Sequence, residues 1–263
     1  MRSRLIRLAG AALLTLVSSA SWAQGLIVDA AGLEAAIKRG AIVWDSRDTD
    51  DYAAGHIPGA VNFGAAGDLF RDANREDPPS AAVAAQLFGN AGMDILAREV
   101  VVYGGKGDPY AYYAARMIEY YGGKHGRVFH GGLDDWKAAG KSLTTQPTKL
   151  APVKLALNAE RVGTLWTQDL IERVKAGSAQ IVDVRTPKEY AGENIRAIRG
   201  GPVAGAVSIP YETNWVDPAT PAKLASRQVS TKDGMSLKPA EQLKALYGKL
   251  DPAKETVVYC QSG

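Results

Sequence analysis

Cys260 is the only cysteine in this 263-residue chain, and its type and position suit covalent chemistry better than those of any other residue. It directly follows the apolar run 256–259, which predicts a buried parallel strand. Reactive groups of α/β proteins gather where such strands end, so Gln261, Ser262 and Gly263 are predicted to belong to an active-site loop. A lone cysteine is more often an inert core residue, but this position favours a catalytic nucleophile.

A cysteine attacks only as its thiolate, and a free thiol with a pKa of about 8.5 carries little thiolate at neutral pH. The usual activating partner is missing from the second half of the chain, because the three histidines are His56, His125 and His130. A pair of Cys260 with a histidine of the first half of the chain stays open as a means of activating the thiol. The other device is a ring of backbone N–H groups at the start of a following helix, and Gly263 suits such a tight loop.

Residues 1–23 have the composition of an export signal. Three arginines precede an apolar stretch too short to span a bilayer, and Ser21, Trp22 and Ala23 form a cleavage site. We therefore expect a periplasmic mature chain that starts at Gln24. The whole chain has 31 Lys and Arg against 28 Asp and Glu, and loss of the three leader arginines leaves no net charge. We expect no nucleic-acid partner and, after cleavage, no membrane partner; the oligomeric state stays open.

The same series of motifs occurs twice in the chain. An Asp-x-Arg triplet is followed by an acid–tyrosine pair, a segment ending in Gly-Ala-Val, and an apolar strand with its loop. These motifs occupy residues 45–47, 51–52, 55–61 and 101–107 in the first copy, and 183–185, 189–190, 201–207 and 257–263 in the second. The second copy has eight extra residues before its third motif. Gly104 occupies the position that corresponds to Cys260.

Each copy alternates short β-branched runs with helical stretches, which is typical of a small α/β unit. Helices are predicted over residues 29–40 with Asp29 as cap, over about 108–121, and over 168–175 with Thr167 as cap and Gly177 as stop.

The repeat also predicts the domain organisation. We assign residues 26–144 to domain 1, the proline-containing residues 145–158 to a linker, and residues 159–263 to domain 2. By comparison with the first copy, we expect the second to lack a helix, a strand and a closing turn, about 35 residues in all.

These motifs resemble the rhodanese (sulfurtransferase) family, over nearly all of residues 26–263. The specific ones are Gly-His-Ile-Pro-Gly-Ala at 55–60 beside its Asp-x-Arg, and Gly-Gly-x-x-x-Trp-x-x-x-Gly at 131–140. Exported tandem sulfurtransferases of bacteria are the most similar. The resemblance implies two tandem domains, each a doubly wound, mostly parallel sheet flanked by helices, with the second incomplete. It also implies that domain 2 is catalytic and that domain 1 is not.

The resemblance implies a reaction without metal or organic cofactor. A small-molecule donor such as thiosulfate gives its sulfane sulfur to Cys260, and the persulfide passes it to a thiol or to cyanide. The identity of the sulfur donor stays open. Gln261 and Ser262 are neutral where thiosulfate-type relatives carry basic residues, and Glu189 stands where relatives place an arginine for the donor's anionic group.

Asp183 and Arg185 could bind substrate, but we interpret them as an ion pair that supports the loops, as Asp45 and Arg47 would in the non-catalytic copy. Two other functions stay open: a non-catalytic binding or sulfur-carrier module, and a cysteine phosphatase or arsenate reductase of related fold. We expect residues 24–263 alone to be inactive, because the loop is incomplete and domain 2 leaves strand edges unpaired.

Overall fold

The computed structural model describes residues 25–71, 77–123, 126–159 and 163–261. The predicted export signal, His125, Ser262 and Gly263 lie outside these ranges. No helix within them combines the length and the apolar character needed to cross a lipid bilayer.

Domain 1 is an α/β unit in which helices cover both faces of one parallel sheet. Its elements are β1 (Ile27–Val28), α1 (Ala30–Lys38), β2 (Ile42–Asp45), α2 (Thr49–Ala54), β3 (Ala60–Val61), α3 (Ala66–Leu69), α4 (Ala81–Asn90), β4 (Val100–Tyr103), α5 (Pro109–Tyr120), β5 (Gly126–Phe129) and α6 (Gly132–Ala138). The sheet order is β1-β5-β4-β2-β3, and every strand pair is parallel.

The alternation of side chains along β2 and β4 explains why this sheet needs two layers of helices. Trp44 and Val102 contribute to one buried cluster, whereas Val43 and Val101 contribute to another. Successive strand residues point to opposite faces, so the two clusters lie on either side of the sheet. The predicted doubly wound fold is confirmed here.

Domain 2 repeats the middle of this sheet. Its elements are α7 (Thr167–Ala176), β6 (Ala179–Asp183), α8 (Pro187–Tyr190), β7 (Val207–Ser208), a 3₁₀ helix (Tyr211–Asn214), α9 (Thr220–Ala225), a second 3₁₀ helix (Asp233–Met235), α10 (Ala240–Tyr247) and β8 (Glu255–Tyr259). The strands are parallel in the order β7-β6-β8. They correspond to β3, β2 and β4, because Asp183 pairs with Tyr259 as Asp45 pairs with Tyr103.

The strand before Cys260 forms where it is predicted, but the prediction that it is buried is wrong. Val258 of β8 is 59% exposed, and Thr256 is exposed as well. In domain 1 the corresponding β4 lies between β2 and β5, whereas within the described residues β8 pairs only with β6. One side of β8 therefore lacks the neighbour that buries β4.

The predicted helix signals agree with the structure except at one cap. Asp29 caps α1, because its carboxylate accepts from the N–H of Gly32 at 2.7 Å. Gly177 ends α7 in the left-handed region, with φ of 60°. The predicted cap Thr167 is instead the first residue of α7, and Trp166 precedes it as the cap. The Asp169 carboxylate reaches back to the Trp166 N–H at 3.1 Å, which fixes the start of the helix one residue earlier.

The predicted linker packs along domain 1. The Val153 N–H donates to the carbonyl of Gly89 at 2.9 Å, and the Thr148 N–H donates to the Tyr52 hydroxyl at 3.0 Å. Leu157 is buried in the same cluster as Trp44. The chain thus crosses domain 1 in a fixed path before it enters domain 2, and the proposed domain boundaries stay predictions.

Candidate active site

Cys260 lies at the carboxyl edge of the domain 2 sheet, directly after β8. Its thiol is free and half-buried. The Val184 N–H, just beyond β6, donates to the carbonyl of Tyr259 at 3.1 Å, and the Tyr211 N–H, just beyond β7, donates to the carbonyl of Val184 at 2.9 Å. Three adjacent strand ends are thus tied together by backbone bonds beside the sulfur.

Asp183 and Arg185 form a two-pronged ion pair at this edge. The guanidinium donates from Nε and Nη2 to the Asp183 carboxylate, at 2.7 Å for Nη2 to Oδ2, and Nη2 also donates to the carbonyl of Gly201. The Tyr259 hydroxyl donates to Asp183 Oδ2 at 2.5 Å and accepts from the Val203 N–H at 3.0 Å. The residue before Cys260 is therefore held by its own side chain. That the pair supports the active-site loops, as interpreted from the sequence, stays a prediction.

The burial of Asp183 would by itself raise the pKa of its carboxyl group. Hydrogen bonds from Arg185 and Tyr259 outweigh that effect and hold the pKa below its usual value. The Asp183 carboxylate therefore stays charged in neutral solution and remains paired with Arg185.

Domain 1 contains the same network at the same positions. The Tyr103 hydroxyl donates to Asp45 Oδ2 at 2.6 Å and accepts from the Ile57 N–H at 3.0 Å. Arg47 pairs with Asp45 at 2.6 Å and donates to the carbonyl of Gly55 at 2.9 Å. The network therefore does not require a neighbouring cysteine, which is consistent with a supporting role.

Gly104 replaces the cysteine in domain 1, and the space for a side chain there is filled. A Cβ atom at Gly104 would collide with the carboxylate of Asp108. Asp108 is held in place as the cap of α5, where it accepts from the Tyr110 N–H at 2.9 Å. Burial raises the pKa of this carboxyl group. The domain 1 loop is thus closed to a nucleophile by sterics as well as by sequence.

A cleft of about 590 Å³ lies between the two domains. Its domain 1 wall includes the loop 105–109, and its domain 2 wall includes Tyr211, Trp215 and Met235. Contacts between the walls include those of His130 Nε2, 2.8 Å from the carbonyl of Met235, and of Lys232 Nζ, 3.3 Å from Asp134 Oδ2. A volume of this size accommodates a small ligand.

Tyr211 is a site residue that the sequence reasoning missed. Its phenol lines the cleft and interacts electrostatically with Cys260. Burial, the nearby Glu212 and the charges of Cys260 and Glu189 raise the pKa of Tyr211 to about 12. The hydroxyl therefore keeps its proton in neutral solution. Its place three residues after the end of β7 is the signal that could have identified it.

Glu189, which also acts on Tyr211, is almost fully buried, and the side chain of Arg196 lies against it. Thr186 donates to its Oε2 from the hydroxyl at 2.7 Å and from the backbone at 3.1 Å. Arg196 Nη1 lies 3.4 Å from Oε1. Burial would raise the pKa of Glu189, but the Thr186 hydrogen bonds and the charges of Arg196 and Arg185 hold it below its usual value.

The start of the predicted loop lies next to Arg196, because the side-chain amide of Gln261 donates to the carbonyl of Arg196 at 3.2 Å. Ser262 and Gly263 lie outside the described residues, so the proposed ring of N–H groups stays a prediction.

Within the described ranges no group of three or more His, Cys, Asp or Glu side chains is arranged to hold a metal ion. His56 and His130 are in domain 1, bonded to carbonyl groups.

Comparison with known proteins gives consistent matches along the chain. The family model described as rhodanese-like domain matches residues 29–139 and 167–263. A thiosulfate sulfurtransferase of Corynebacterium glutamicum is 30% identical over 243 residues, which cover 84% of this chain and 71% of the relative. The sulfur carrier protein TtuD of Thermus thermophilus is 33% identical over 225 residues, which cover 80% of this chain and 72% of the relative.

The fold has a solved counterpart. The crystal structure of SseA from Escherichia coli, a 3-mercaptopyruvate sulfotransferase with the rhodanese fold, superposes with a TM-score of 0.72 at 22% identity. The match covers 90% of this chain and 89% of that one. It confirms the predicted arrangement of parallel sheets flanked by helices.

Proposed function

Because the chain belongs to the family of rhodanese-like domains, we propose that it is a sulfurtransferase that carries sulfane sulfur as a persulfide on Cys260. The observation that carries this proposal is the free, half-buried thiol at the end of β8, next to the ends of β6 and β7. The relatives named thiosulfate sulfurtransferase support thiosulfate as the donor.

The proposed reaction has two steps. The Cys260 thiolate attacks the outer sulfur of thiosulfate, a new S–S bond forms, and the bond to the inner sulfur breaks with its electron pair leaving on sulfite. An acceptor thiolate or cyanide then attacks the outer sulfur of the persulfide and releases the Cys260 thiolate. Charge and atoms balance in both steps without a redox partner. We further propose that the Tyr211 hydroxyl, whose pKa is raised in part by the charge of Cys260, donates a hydrogen bond to the sulfur during the transfer.

The test uses the full-length protein and its Cys260→Ser variant. We expect the wild type to form thiocyanate from thiosulfate and cyanide, and to gain the mass of one sulfur atom after thiosulfate alone. The serine variant should do neither while it keeps the circular dichroism of the wild type. Equal turnover by both proteins, or turnover of a phosphate ester lost in the variant, would contradict the proposal.

A second function is favoured by the relative named sulfur carrier protein. A carrier would form the same Cys260 persulfide but release it slowly to cyanide and quickly to a protein acceptor. Single-turnover transfer from the isolated persulfide separates the two functions. Release to cyanide at the steady-state rate supports the enzyme, and a persulfide stable to millimolar cyanide supports the carrier.

We also propose that the protein acts in the periplasm. The arginines, apolar stretch and small residues within 1–23 support this. Expression in a Gram-negative host followed by N-terminal sequencing should give a periplasmic chain that starts at Gln24. Recovery of the protein only in the cytoplasm, with residues 1–23 attached, would overturn the proposal.

A further inference from the structure

The loop that follows β4 forms a fixed wall of the cleft between the domains. It corresponds to the cysteine-containing loop of domain 2, but its backbone is held by other parts of domain 1. The Lys106 N–H donates to Asp134 Oδ2 at 2.8 Å, and the Gly107 N–H donates to the carbonyl of His130 at 3.1 Å. The loop therefore presents a defined surface to domain 2.

At Gly107 this wall lies against two side chains of domain 2. A Cβ atom at Gly107 would lie 2.8 Å from Met235 Cε and 3.2 Å from Trp215 Cζ2. Gly107 has φ of 74°, in the left-handed region that glycine adopts without steric cost. Because Gly107 has no side chain, the Trp215 ring and the Met235 side chain lie directly against the backbone of domain 1.

Trp215 connects this contact to Tyr211. It directly follows the 3₁₀ helix that begins at Tyr211, and its N–H donates to the carbonyl of Glu212 at 3.0 Å. Trp215 is buried, and its ring meets the Tyr211 ring edge to face with the centroids 5.6 Å apart. Aromatic pairs in this geometry attract each other beyond the effect of the area that they bury. A displacement of Trp215 would therefore displace the phenol of Tyr211.

Backbone bonds connect Tyr211 to the strand end before Cys260. The Tyr211 N–H donates to the carbonyl of Val184 at 2.9 Å, and the Val184 N–H donates to the carbonyl of Tyr259 at 3.1 Å. The phenol of Tyr211 also interacts electrostatically with Cys260. A continuous series of contacts thus leads from the loop after β4 to the proposed nucleophile.

From these contacts we infer that Gly107 and Trp215 are positioning residues for the proposed sulfur transfer. The absence of a side chain at Gly107 lets Trp215 pack against domain 1, and Trp215 holds the Tyr211 phenol where its hydroxyl donates to the sulfur of Cys260. Domain 1 then takes part in the reaction by setting the orientation of a donor in domain 2. The inference rests on the proposed function and on the proposed role of Tyr211.

The test compares two glycine substitutions in the full-length protein. Gly107→Ala places a methyl group against Met235 and Trp215. Gly40→Ala is the control, because Gly40 has φ of 86° and, beyond its chain neighbours, no atom of the described residues lies within 4 Å of the new methyl group. Gly40 precedes β2, at the opposite edge of the same sheet. Both variants therefore carry the strain of a left-handed alanine, but only one alters the cleft.

We expect Gly107→Ala to slow persulfide formation from thiosulfate about fivefold, the effect of one lost hydrogen bond. Gly40→Ala should change this rate by less than about twofold. Single-turnover measurements at saturating thiosulfate give both rates.

The same measurements in a Tyr211→Phe background separate positioning from stability. If Gly107 acts through the Tyr211 hydroxyl, Gly107→Ala should change the rate by less than about twofold once that hydroxyl is absent. Trp215→Leu leaves the domain 1 loop unaltered and should give the same pattern in both backgrounds. It serves as the second variant should Gly107→Ala fold poorly.

Equal slowing by these substitutions with and without the Tyr211 hydroxyl would overturn the inference, and so would an unchanged rate in Gly107→Ala and Trp215→Leu. Equal effects of Gly107→Ala and Gly40→Ala would assign the loss to backbone strain and reject the positioning role. The proposed function fails by a different result, namely a wild-type protein that forms no persulfide on Cys260.

Discussion

Tyr259 links the proposed nucleophile, Cys260, to the ion pair of Asp183 and Arg185. Its hydroxyl lies between the Asp183 carboxylate and the Val203 N–H, and its carbonyl accepts from Val184. The next residue in the chain is Cys260, so the tether sets the direction in which the chain leaves β8. A side chain that keeps the strand end in place thereby positions the sulfur.

The repeat makes the role of this tyrosine testable. Tyr259→Phe should cost about 1 kcal/mol of unfolding free energy, because the half-buried Val203 N–H can bind water instead. The matched variant Tyr103→Phe should cost more, about 2–3 kcal/mol, because Ile57 is fully buried and its N–H would be left unsatisfied. Denaturant titration gives both values.

The two variants should affect activity in the opposite order to their effects on unfolding free energy. Tyr259→Phe lowers the rate of persulfide formation, whereas Tyr103→Phe leaves it unchanged once the protein is folded. Equal losses of rate in the two variants would show that the hydroxyl serves stability alone.

Tyr211 gives a second prediction at this scale. Tyr211→Phe should slow sulfur transfer about fivefold, the effect of one lost hydrogen bond. With its pKa raised to about 12, the phenol stays protonated in any ordinary assay. The ratio of wild-type to variant rate should therefore be constant between about pH 6 and pH 10. A ratio that changes with a pKa in that range would contradict this assignment.

The elements show how far the sequence could predict the site. The Asp-x-Arg triplets, the strand before Cys260 and its parallel pairing were predictable, because each depends on residues close together in the chain and repeated in the other copy. Tyr211 was harder to predict, because its place near Cys260 depends on how the ends of β6 and β7 meet in space. The burial of β8 was predicted wrongly because an apolar run specifies a strand but not the number of its neighbours, whereas comparison with the first copy predicted unpaired strand edges in domain 2.

The loop after β4 provides a prediction at the element scale. Gly104→Cys should not create a second sulfur site, because the Asp108 carboxylate occupies the position of the new side chain. Overpacking there should cost about 1–3 kcal/mol, and mass spectrometry should still find one persulfide per chain.

Gly105→Ala is the control for this substitution. Its Cβ would meet the flexible end of Lys232 at 3.1 Å and Asp134 Oδ2 at 3.9 Å, an ordinary van der Waals contact, so it should be nearly neutral. A stable Gly104→Cys protein with two persulfides would refute the steric argument.

At the scale of the whole molecule, a few short segments join the domains. His130 accepts from the Tyr112 hydroxyl through Nδ1 when its Nε2–H donates to the carbonyl of Met235. Lys106 is buried and pairs with Asp135, with Asp233 of domain 2 at 3.8 Å. Domain 1 therefore holds the second 3₁₀ segment of domain 2, Asp233–Met235, which forms part of the cleft wall.

His130 makes this junction sensitive to pH. Burial lowers its pKa, and the charge of Lys106 adds to that, while the Met235 hydrogen bond and Asp135 partly oppose it. The folded protein then favours the neutral imidazole. Its contribution to stability is complete above the unfolded pKa of about 6.5 and is lost as the pH falls through the lower folded value.

Unfolding free energy should therefore decrease from pH 7 to pH 5, and part of that decrease should disappear in His130→Gln. Denaturant titrations at several pH values measure it. An unchanged pH slope in the variant would show that the junction does not respond through His130.

The collision between Gly104 and Asp108 also limits the paths that evolution can take. A nucleophile at position 104 first requires removal of the Asp108 side chain, which caps α5, while a cysteine introduced first meets that carboxylate. We expect either order of substitution to pass through a destabilised intermediate. The proposed division of labour between the two copies is in this sense hard to reverse.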